Sequence, residues 1–560
     1  MGKTEEVNIM ITLKLCSPLA KIFPEQAPPE EKFRSGMALR GEKFSFQLAY
    51  RVDSPSGWRN LLRLKIESPL QEFIRVRKVE TVPVRFFASQ PDDDVISSEP
   101  GLYPDPLVDI PQEFRSVPEQ WNSLWIDVAI PENWPSGKYP VTLILNDMDH
   151  APRKKVRKTF QLEVLNQVLP PQKLIHTEWF HADCLAAYYR CPIWSEDHWT
   201  ILEKFIRSAA EHGINMLLTP VFTSPLDTAV GGERPTVQLV NVRIENGEYS
   251  FDFTRLERWV KLAEKCGITY FEISHLFTQW GAAFCPKIMA EINGETKQIF
   301  GWNVKADSPE YHKFLGAFLP ALIQWLKEHN LQERTYFHCS DEPQAKHLKT
   351  YRKAVTVLRK YLSGFKMCDA LSNVEFYKHG LVSTPIPIED SLDEFVKAGV
   401  EDLWTYYCCT QVKEVSNRFV NMPSSRNRIM GSLLYRYGCK GFLQWGFNFY
   451  FSQFSIRLIN PWMVLDSDCA FPPGDAFMVY PGLDGSPVDS LRLEVFFQGL
   501  QDLRALELLE TKIGRKKVCA FLDRMTSGGK MDMKHYPRGE SAVLNLRKKI
   551  NSLLKRLCSQ

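Results

Sequence analysis

A β-sandwich followed by a (β/α)8 barrel and a C-terminal helical extension is the architecture this sequence predicts, and three observations carry the prediction. Residues 1–170 alternate short apolar runs with Pro, Gly and Ser turns and show little helical periodicity. A proline pair, Pro170 and Pro171, then breaks that pattern. Beyond it, eight strand-like runs alternate with amphipathic helices up to residue 515, the repeat of a parallel barrel.

Each element can be justified in order. The 560-residue length exceeds one ordinary domain and suits two or three. Hydrophobic residues at 44%, charged residues at 24% and aromatics at 12% describe a globular chain rich in rings. Lys plus Arg number 69 against 66 Asp plus Glu, and a net charge of +3 excludes a global attraction to nucleic acid or acidic membranes. Runs such as Phe44 to Val52, Ser123 to Ile130 and Tyr139 to Leu145 supply the sandwich strands. The segment Leu169 to Lys173 marks the boundary, giving a sandwich over 1–170, a barrel over 171–515 and a helical extension over 516–560.

The barrel strands are expected in Leu174 to Phe180, Ile214 to Phe222, Thr269 to Phe277, Thr335 to Cys339, Lys366 to Leu371, Val382 to Ile388, Asp402 to Cys408 and Gly441 to Phe447. Helices are expected in Glu196 to Glu211, Phe253 to Lys265, Pro309 to Lys327, Gln344 to Leu362, Leu392 to Ala398, Arg426 to Tyr437 and Ser490 to Glu510. The fifth unit is the weakest, because Asn373 to His379 leaves little room for a helix. At the end of the chain Val543, Leu546, Ile550, Leu553, Leu554 and Leu557 recur at helical spacing, flanked by Arg547, Lys548, Lys549, Lys555 and Arg556. That pattern predicts a docking helix with a solvated basic face rather than a membrane element.

Met1 to Ile11 lacks the form of a secretory signal, and no run approaches membrane-spanning length. The 13 cysteines are scattered, and the neighbours Cys408 and Cys409 suit no ordinary disulfide framework, so reduced thiols and a cytoplasmic location are expected. No CxxC or HExxH string occurs, and the Cys184 to Cys191 spacing matches no common zinc site, so neither metal nor cofactor is expected.

In such a barrel the active site lies at the C-terminal ends of the strands. The run His338, Cys339, Ser340, Asp341, Glu342, Pro343, Gln344 sets two adjacent carboxylates just past the fourth strand. Ser or Asp followed by Glu and Pro is also a helix opening, with a side-chain oxygen capping free N–H groups. The functional reading is an acid/base pair whose members hold different protonation states at neutral pH. Regular pleating points adjacent side chains to opposite faces, so both reach one pocket only where the strand ends or bulges. Pro343 assists by disfavouring helical backbone at Glu342. Around them, His181 and Asp183 follow the first strand, His275, Gln279 and Trp280 the third, Tyr406 and Tyr407 the seventh, and Trp445 and Asn448 the eighth. Rings with amides, carboxylates and imidazoles suit a polyhydroxylated ligand, although a single aromatic is more often core and a lone histidine more often structural.

Several strings resemble glycoside hydrolase family 123, whose described members are β-N-acetylgalactosaminidases. They are HTEWFHADCLA from His176, LLTPVFTSPLDTAVGGERPTVQL from Leu217, EISHLFTQWGA from Glu272, HCSDEP, DALSN from Asp369, LWTYYCCT from Leu403, GFLQWGFNFY from Gly441 and GLQDLRALELLE from Gly499. They cover most of the chain beyond the boundary, while the N-terminal region is similar only in its β-rich character. The resemblance implies an exo-acting, retaining, substrate-assisted enzyme that releases terminal β-linked N-acetylgalactosamine. The substrate's own 2-acetamido oxygen then replaces an enzymic nucleophile. It implies that Asp341 orients the acetamido N–H and offsets developing positive charge, and that Glu342 protonates the leaving oxygen and then activates water. The resemblance further implies that Tyr406 or Tyr407 polarises the acetamido carbonyl and that Trp445 stacks on the sugar. His275, Gln279, Trp280, Asp183, Arg234 and Asn448 contact hydroxyls, or Arg234 instead holds the loop of Gly231 and Gly232 by an ion pair. The alternatives are a β-N-acetylglucosaminidase of the same mechanism and a carbohydrate-binding protein without turnover. The intact acid pair argues against the latter.

Overall fold

The computed structural model describes residues 9–29, 33–54, 59–87, 90–149 and 154–557. The reading of Met1 to Ile11 falls mostly on residues 1–8, outside the described residues.

Two five-stranded sheets form the N-terminal layer pair. One orders Met10–Cys16, Lys43–Asp53, Trp121–Ala129, Ile74–Val84 and Gly101–Asp109. The other orders Ser35–Arg40, Lys155–Val168, Gly137–Asp147, Leu61–Glu67 and Glu113–Arg115. Pairing is antiparallel except that Ser35–Arg40 runs parallel to Lys155–Val168. Period-2 alternation turns Phe46, Leu48, Tyr50 and Val52 inward against Leu143, Leu145, Phe160 and Leu162. Phe46 stacks on Phe160 with ring centroids 4.4 Å apart.

Eight parallel strands follow, each inside the run expected of it: Ile175–Glu178, Met216–Thr219, Tyr270–Ile273, Thr335–Phe337, Lys366–Ala370, Thr384–Ile386, Trp404–Tyr406 and Gly441–Gln444. The eighth pairs with the first at Ile175 and Gly441. The sixth and seventh meet through one bridge, Ile388 to Tyr406, so the barrel is nearly closed. Glu196–Glu211, Thr254–Cys266, Pro309–Glu328, Leu348–Arg359, Leu392–Lys397, Met430–Tyr437 and Leu491–Ile513 are helical. The fifth unit has only the four-residue helix Glu375–Lys378. Sequence periodicity did not reveal a four-stranded sheet, Glu248–Asp252, Asn241–Glu245, Ile288–Ile292 and Glu295–Phe300, inserted after the second and third strands. Its strands are largely solvated, which leaves them without the apolar run that signals a buried strand.

Buried charge joins sandwich to barrel. Arg77, on a sandwich strand, pairs with Asp489 at 2.6 Å and with Glu494 at the start of helix Leu491–Ile513. Asp105 accepts from Arg492 at 2.9 Å and from the Tyr480 hydroxyl at 2.6 Å. The terminal helix Glu540–Leu557 docks through Val543, Leu546, Ile550 and Leu554 as expected. One expectation is corrected: Arg547 does not belong to the solvated basic face. It is buried between Glu42 at 2.6 Å and Asp502 at 2.8 Å, and it is the cation paired with Glu42, whereas Asp502 is also held by Arg428 at 2.8 Å. Lys548, Lys549, Lys555 and Arg556 are exposed. Among the described residues no helix is long and apolar enough to cross a membrane.

Candidate active site

The fourth strand loses its ladder partner after Phe337, and the Asp369 carboxylate at the end of the fifth strand takes over. Asp369 accepts from Cys339 N at 3.0 Å, from Ser340 N at 3.3 Å and from the Tyr351 hydroxyl, and it holds His338 Nδ1 at 3.0 Å. The chain then turns. Trp280 N donates to the Asp341 carbonyl at 2.8 Å, and Glu342 N donates to the Ala370 carbonyl at 3.0 Å. Glu342 sits at φ 41°, a left-handed conformation that side-chain-bearing residues rarely adopt. Strand termination plus this conformation lets two consecutive carboxyl groups escape pleated alternation. Capping of the next helix falls elsewhere: the Gln344 side chain caps the turn Ala345–His347, and Gln344 N donates to His347 Nδ1 at 3.1 Å. Neither carboxylate is spent on a helix end.

The Tyr406 hydroxyl donates to Glu342 Oε1 at 2.6 Å and lies within the field of Asp341. Burial, and then the neighbouring charge of Glu342, push the Asp341 carboxyl well above the usual carboxylate range. Asp341 therefore holds a proton more readily than an ordinary carboxylate does. Beneath them lies a buried layer. His338 Nε2 meets Glu272 Oε1 at 2.5 Å, and Glu272 also accepts from Thr177 Oγ1 and Trp179 Nε1, each at 2.7 Å. Burial opposes charge on the His338 ring, yet Cys368, Glu272 and Asp369 outweigh it and raise its pKa well above the ordinary histidine value.

Residues 179–509 match the family described as Glycoside hydrolase 123, catalytic domain. The chain belongs to the glycoside hydrolase 123 family. A solved family 123 glycoside hydrolase from Clostridium perfringens, whose structure addressed glycolipid glycan hydrolysis, is 14% identical with a TM-score of 0.70, over 98% of this chain and 97% of that one. That likeness extends the shared fold through the sandwich. A β-glucuronidase from Parabacteroides merdae (10% identity, TM-score 0.32, 89% of this chain and 52% of that chain) is a distant similarity. So is a family 5 mannosidase from Rhizomucor miehei (12% identity, TM-score 0.33, 60% of this chain and 95% of that chain). No curated protein sequence matches.

The glycoside hydrolase brings Asp341, Glu342 and Tyr406 together, with Trp445 packed half-buried against the cluster that holds Tyr406. Trp445 is fixed by its indole N–H, which donates to Asp475 Oδ2 at 2.9 Å, and burial pushes that carboxyl up to about 7. Trp280, 40% exposed and at φ 57°, stands at the mouth with its ring edge-on to Phe454 at 5.9 Å. The other expected contacts lie in the scaffold. Tyr407 points to the opposite side of its strand from Tyr406 and packs on Phe442 at 5.1 Å. His275 is 1% exposed, stacked on His338 at 4.2 Å, and both its nitrogens lack a hydrogen-bond partner among the described residues. Burial and the His338 charge push its pKa well below the ordinary value, so it packs as a neutral ring.

Arg234 grips both oxygens of Asp183 at 2.9 Å and donates to the Leu226 carbonyl at 2.9 Å, so this buried pair anchors the loop after the second strand. Asn448 Oδ1 accepts from His181 N at 2.8 Å, and His181 reaches the Trp445 carbonyl at 3.0 Å. Burial and Arg234 lower His181 to about 4. Gln279 spends its amide on Asp227 N at 2.7 Å and the Thr228 carbonyl at 3.2 Å. Sequence reasoning missed Asp227 and the layer of Glu272, His338 and Asp369. The signal for the layer was present, since Glu272 and Asp369 are carboxylates inside otherwise apolar barrel strands.

Proposed function

We propose that this glycoside hydrolase releases terminal β-linked N-acetylgalactosamine from glycoconjugates by a retaining, substrate-assisted mechanism, with residues 171–515 as its catalytic unit. One observation carries the reading: Glu342 and Asp341 are consecutive, and the next carboxylates, Glu272 and Asp369, are buried beneath them and committed to His338. Glu272 and Asp369 are thereby committed to the scaffold rather than placed as a separate nucleophile, the second carboxylate that a double-displacement enzyme needs. The acetamido oxygen fills that role.

In the free enzyme Tyr406 donates to Glu342 while Asp341 holds a proton. An acetamido N–H needs an ionised Asp341, and an acetamido carbonyl takes the Tyr406 hydroxyl. Binding therefore moves the proton to Glu342, where the leaving oxygen requires it. The acetamido oxygen bonds to C1 as the glycosidic C–O bond breaks, and the Glu342 proton goes to the departing oxygen. Glu342 then takes a proton from water as that water bonds to C1 and reopens the oxazolinium ring, leaving a β-configured product. The resemblance of its motifs to β-N-acetylgalactosaminidases supports the galacto preference, and glycolipid glycan hydrolysis, the subject of the Clostridium perfringens relative's structure, suggests one substrate of this kind. Free thiols such as adjacent Cys408 and Cys409 suit a reducing, cytoplasmic setting. The test is NMR of the first product from an aryl β-N-acetylgalactosaminide, compared with its gluco epimer and the plain galactoside. Rapid cleavage of the 2-hydroxyl galactoside, or an α-configured first product, would sink the mechanism.

A further inference from the structure

Asp227 is held by two other loops at once. Its N–H donates to Gln279 Oε1 at 2.7 Å, from the loop after the third barrel strand. Its carbonyl accepts from Ser455 Oγ at 2.7 Å, and its Oδ2 accepts from Phe454 N at 3.1 Å, both on the loop after the eighth strand. The backbone is left-handed at Asp227 (φ 39°), Phe454 (φ 57°) and Ser455 (φ 57°), three non-glycine residues in a conformation that costs energy and persists where the surroundings enforce it. What this construction presents is one carboxylate oxygen. Oδ1 has no donor among the described residues and is not sealed from solvent, and the residue is only half-buried.

Its place relative to the acid pair follows from the chain. Gln279, which pins Asp227, is followed by Trp280, whose N–H is held by the Asp341 carbonyl, and the Trp280 ring meets Phe454 edge-on. Asp341 and Tyr406 follow the fourth and seventh strands, whereas Asp227 follows the second and is tied to the loop after the eighth. A pyranose whose C2 substituent is gripped by Asp341 and Tyr406 extends its C4 to C6 edge away from that grip. We propose that Asp227 is a specificity-determining residue whose free carboxylate oxygen accepts the 4-hydroxyl of the terminal sugar. This rests on the reading of the site as one for a 2-acetamido sugar. It gives the mouth a polar reader of the kind the galacto or gluco choice requires, a role left open once Gln279, Asn448, Asp183 and Arg234 prove to be engaged elsewhere.

The experiment compares kcat/KM of wild type, Asp227→Asn and Ser455→Ala on an aryl β-N-acetylgalactosaminide and on its 4-deoxy and 6-deoxy analogues. Asp227→Asn keeps an amide oxygen for Phe454 N but loses the anion, so the loop stays tied. A charge-assisted hydrogen bond gives an expected loss of about 10- to 100-fold on the parent. The 4-deoxy analogue, already poor with wild type, should lose little more, while the 6-deoxy analogue should fall like the parent. Ser455→Ala, which loosens the same loop without touching the sugar, should lower all three alike. Equal losses on parent and 4-deoxy substrate in Asp227→Asn, or a selective rescue of the 6-deoxy analogue, overturn the assignment with the acetamido-sugar reading intact. A wild-type enzyme that turns over the plain galactoside but not the hexosaminide overturns both.

Discussion

Asp369→Asn tests whether the buried layer positions the acid pair or merely fills space. The carboxylate serves four donors, Cys339 N, Ser340 N, His338 Nδ1 and the Tyr351 hydroxyl. An amide keeps one acceptor oxygen and turns the other atom into a donor facing donors. Each buried group left unpaired costs about 1–3 kcal/mol, and stripping one carboxylate from a buried imidazolium is worth about 3–5 kcal/mol in comparable pairs. These overlap, so a net loss of about 3–5 kcal/mol is expected, seen as a lowered midpoint in a thermal scan. The catalytic consequence is separate. Cys339 and Ser340 are the last links before Asp341, and a shift on the order of 1 Å in a reacting group costs about 100-fold. We therefore expect kcat on an aryl β-N-acetylgalactosaminide to fall roughly 100-fold with KM within a few-fold, because ground-state binding surfaces remain while transition-state alignment is lost. A variant with the lowered melting midpoint but wild-type kcat would refute the reasoning, leaving the layer as packing only.

Glu342→Gln should abolish most turnover of substrates with poor leaving groups while sparing activated aryl glycosides, and steady-state rates across a leaving-group series read the difference; equal losses count against the acid role. Asp341→Asn removes the acid whose pKa burial and Glu342 raise, so the alkaline limb of kcat/KM, which reports loss of its proton, should move to lower pH as the activity drops. An unmoved limb would assign the proton elsewhere. Arg547→Ala leaves the buried Glu42 without its paired cation, while Asp502 keeps Arg428, and should destabilise by about 3–5 kcal/mol, read by denaturant unfolding, with kcat of the folded enzyme unchanged.

Much of the fold was legible because buried parallel strands announce themselves as apolar runs and their helices as a 3.6-residue period. All eight barrel strands lie inside the expected runs, and the short fifth helix followed from the length of Asn373 to His379. The placement of Asp341 and Glu342 just past the fourth strand was legible in the sequence. The choice between Tyr406 and Tyr407 needed the register: both sit at the end of one strand, and only pairing with the eighth strand shows which faces the axis. Arg547 was expected on a solvated face, and the ion pair that was one of two readings of Arg234 turns out to be with Asp183, for a common reason. A charged side chain in sequence looks solvated or ligand-binding, and its burial depends on a partner hundreds of residues away in one case and some fifty in the other, as Arg547 with Glu42 and Arg234 with Asp183.

The same physics explains why the site is built on charge rather than on apolar packing. Glu272, His338 and Asp369 are removed from water, which is costly unless each is paired, and the pairing here is nearly complete. An apolar layer of equal volume would be at least as stable. It would not supply what Asp341 needs. The carboxyl is pushed up by burial and by Glu342, and the imidazolium of His338 is the group that pulls it back down, while Asp369 pushes it up again. In the proposed mechanism that balance leaves Asp341 able to hold a proton in the free enzyme and to release it when an acetamido N–H arrives. Replacing His338 with a neutral residue of similar shape removes the pull and leaves two unbalanced carboxylates below, so the proton would stay on Asp341 and Glu342 would be left without one to give.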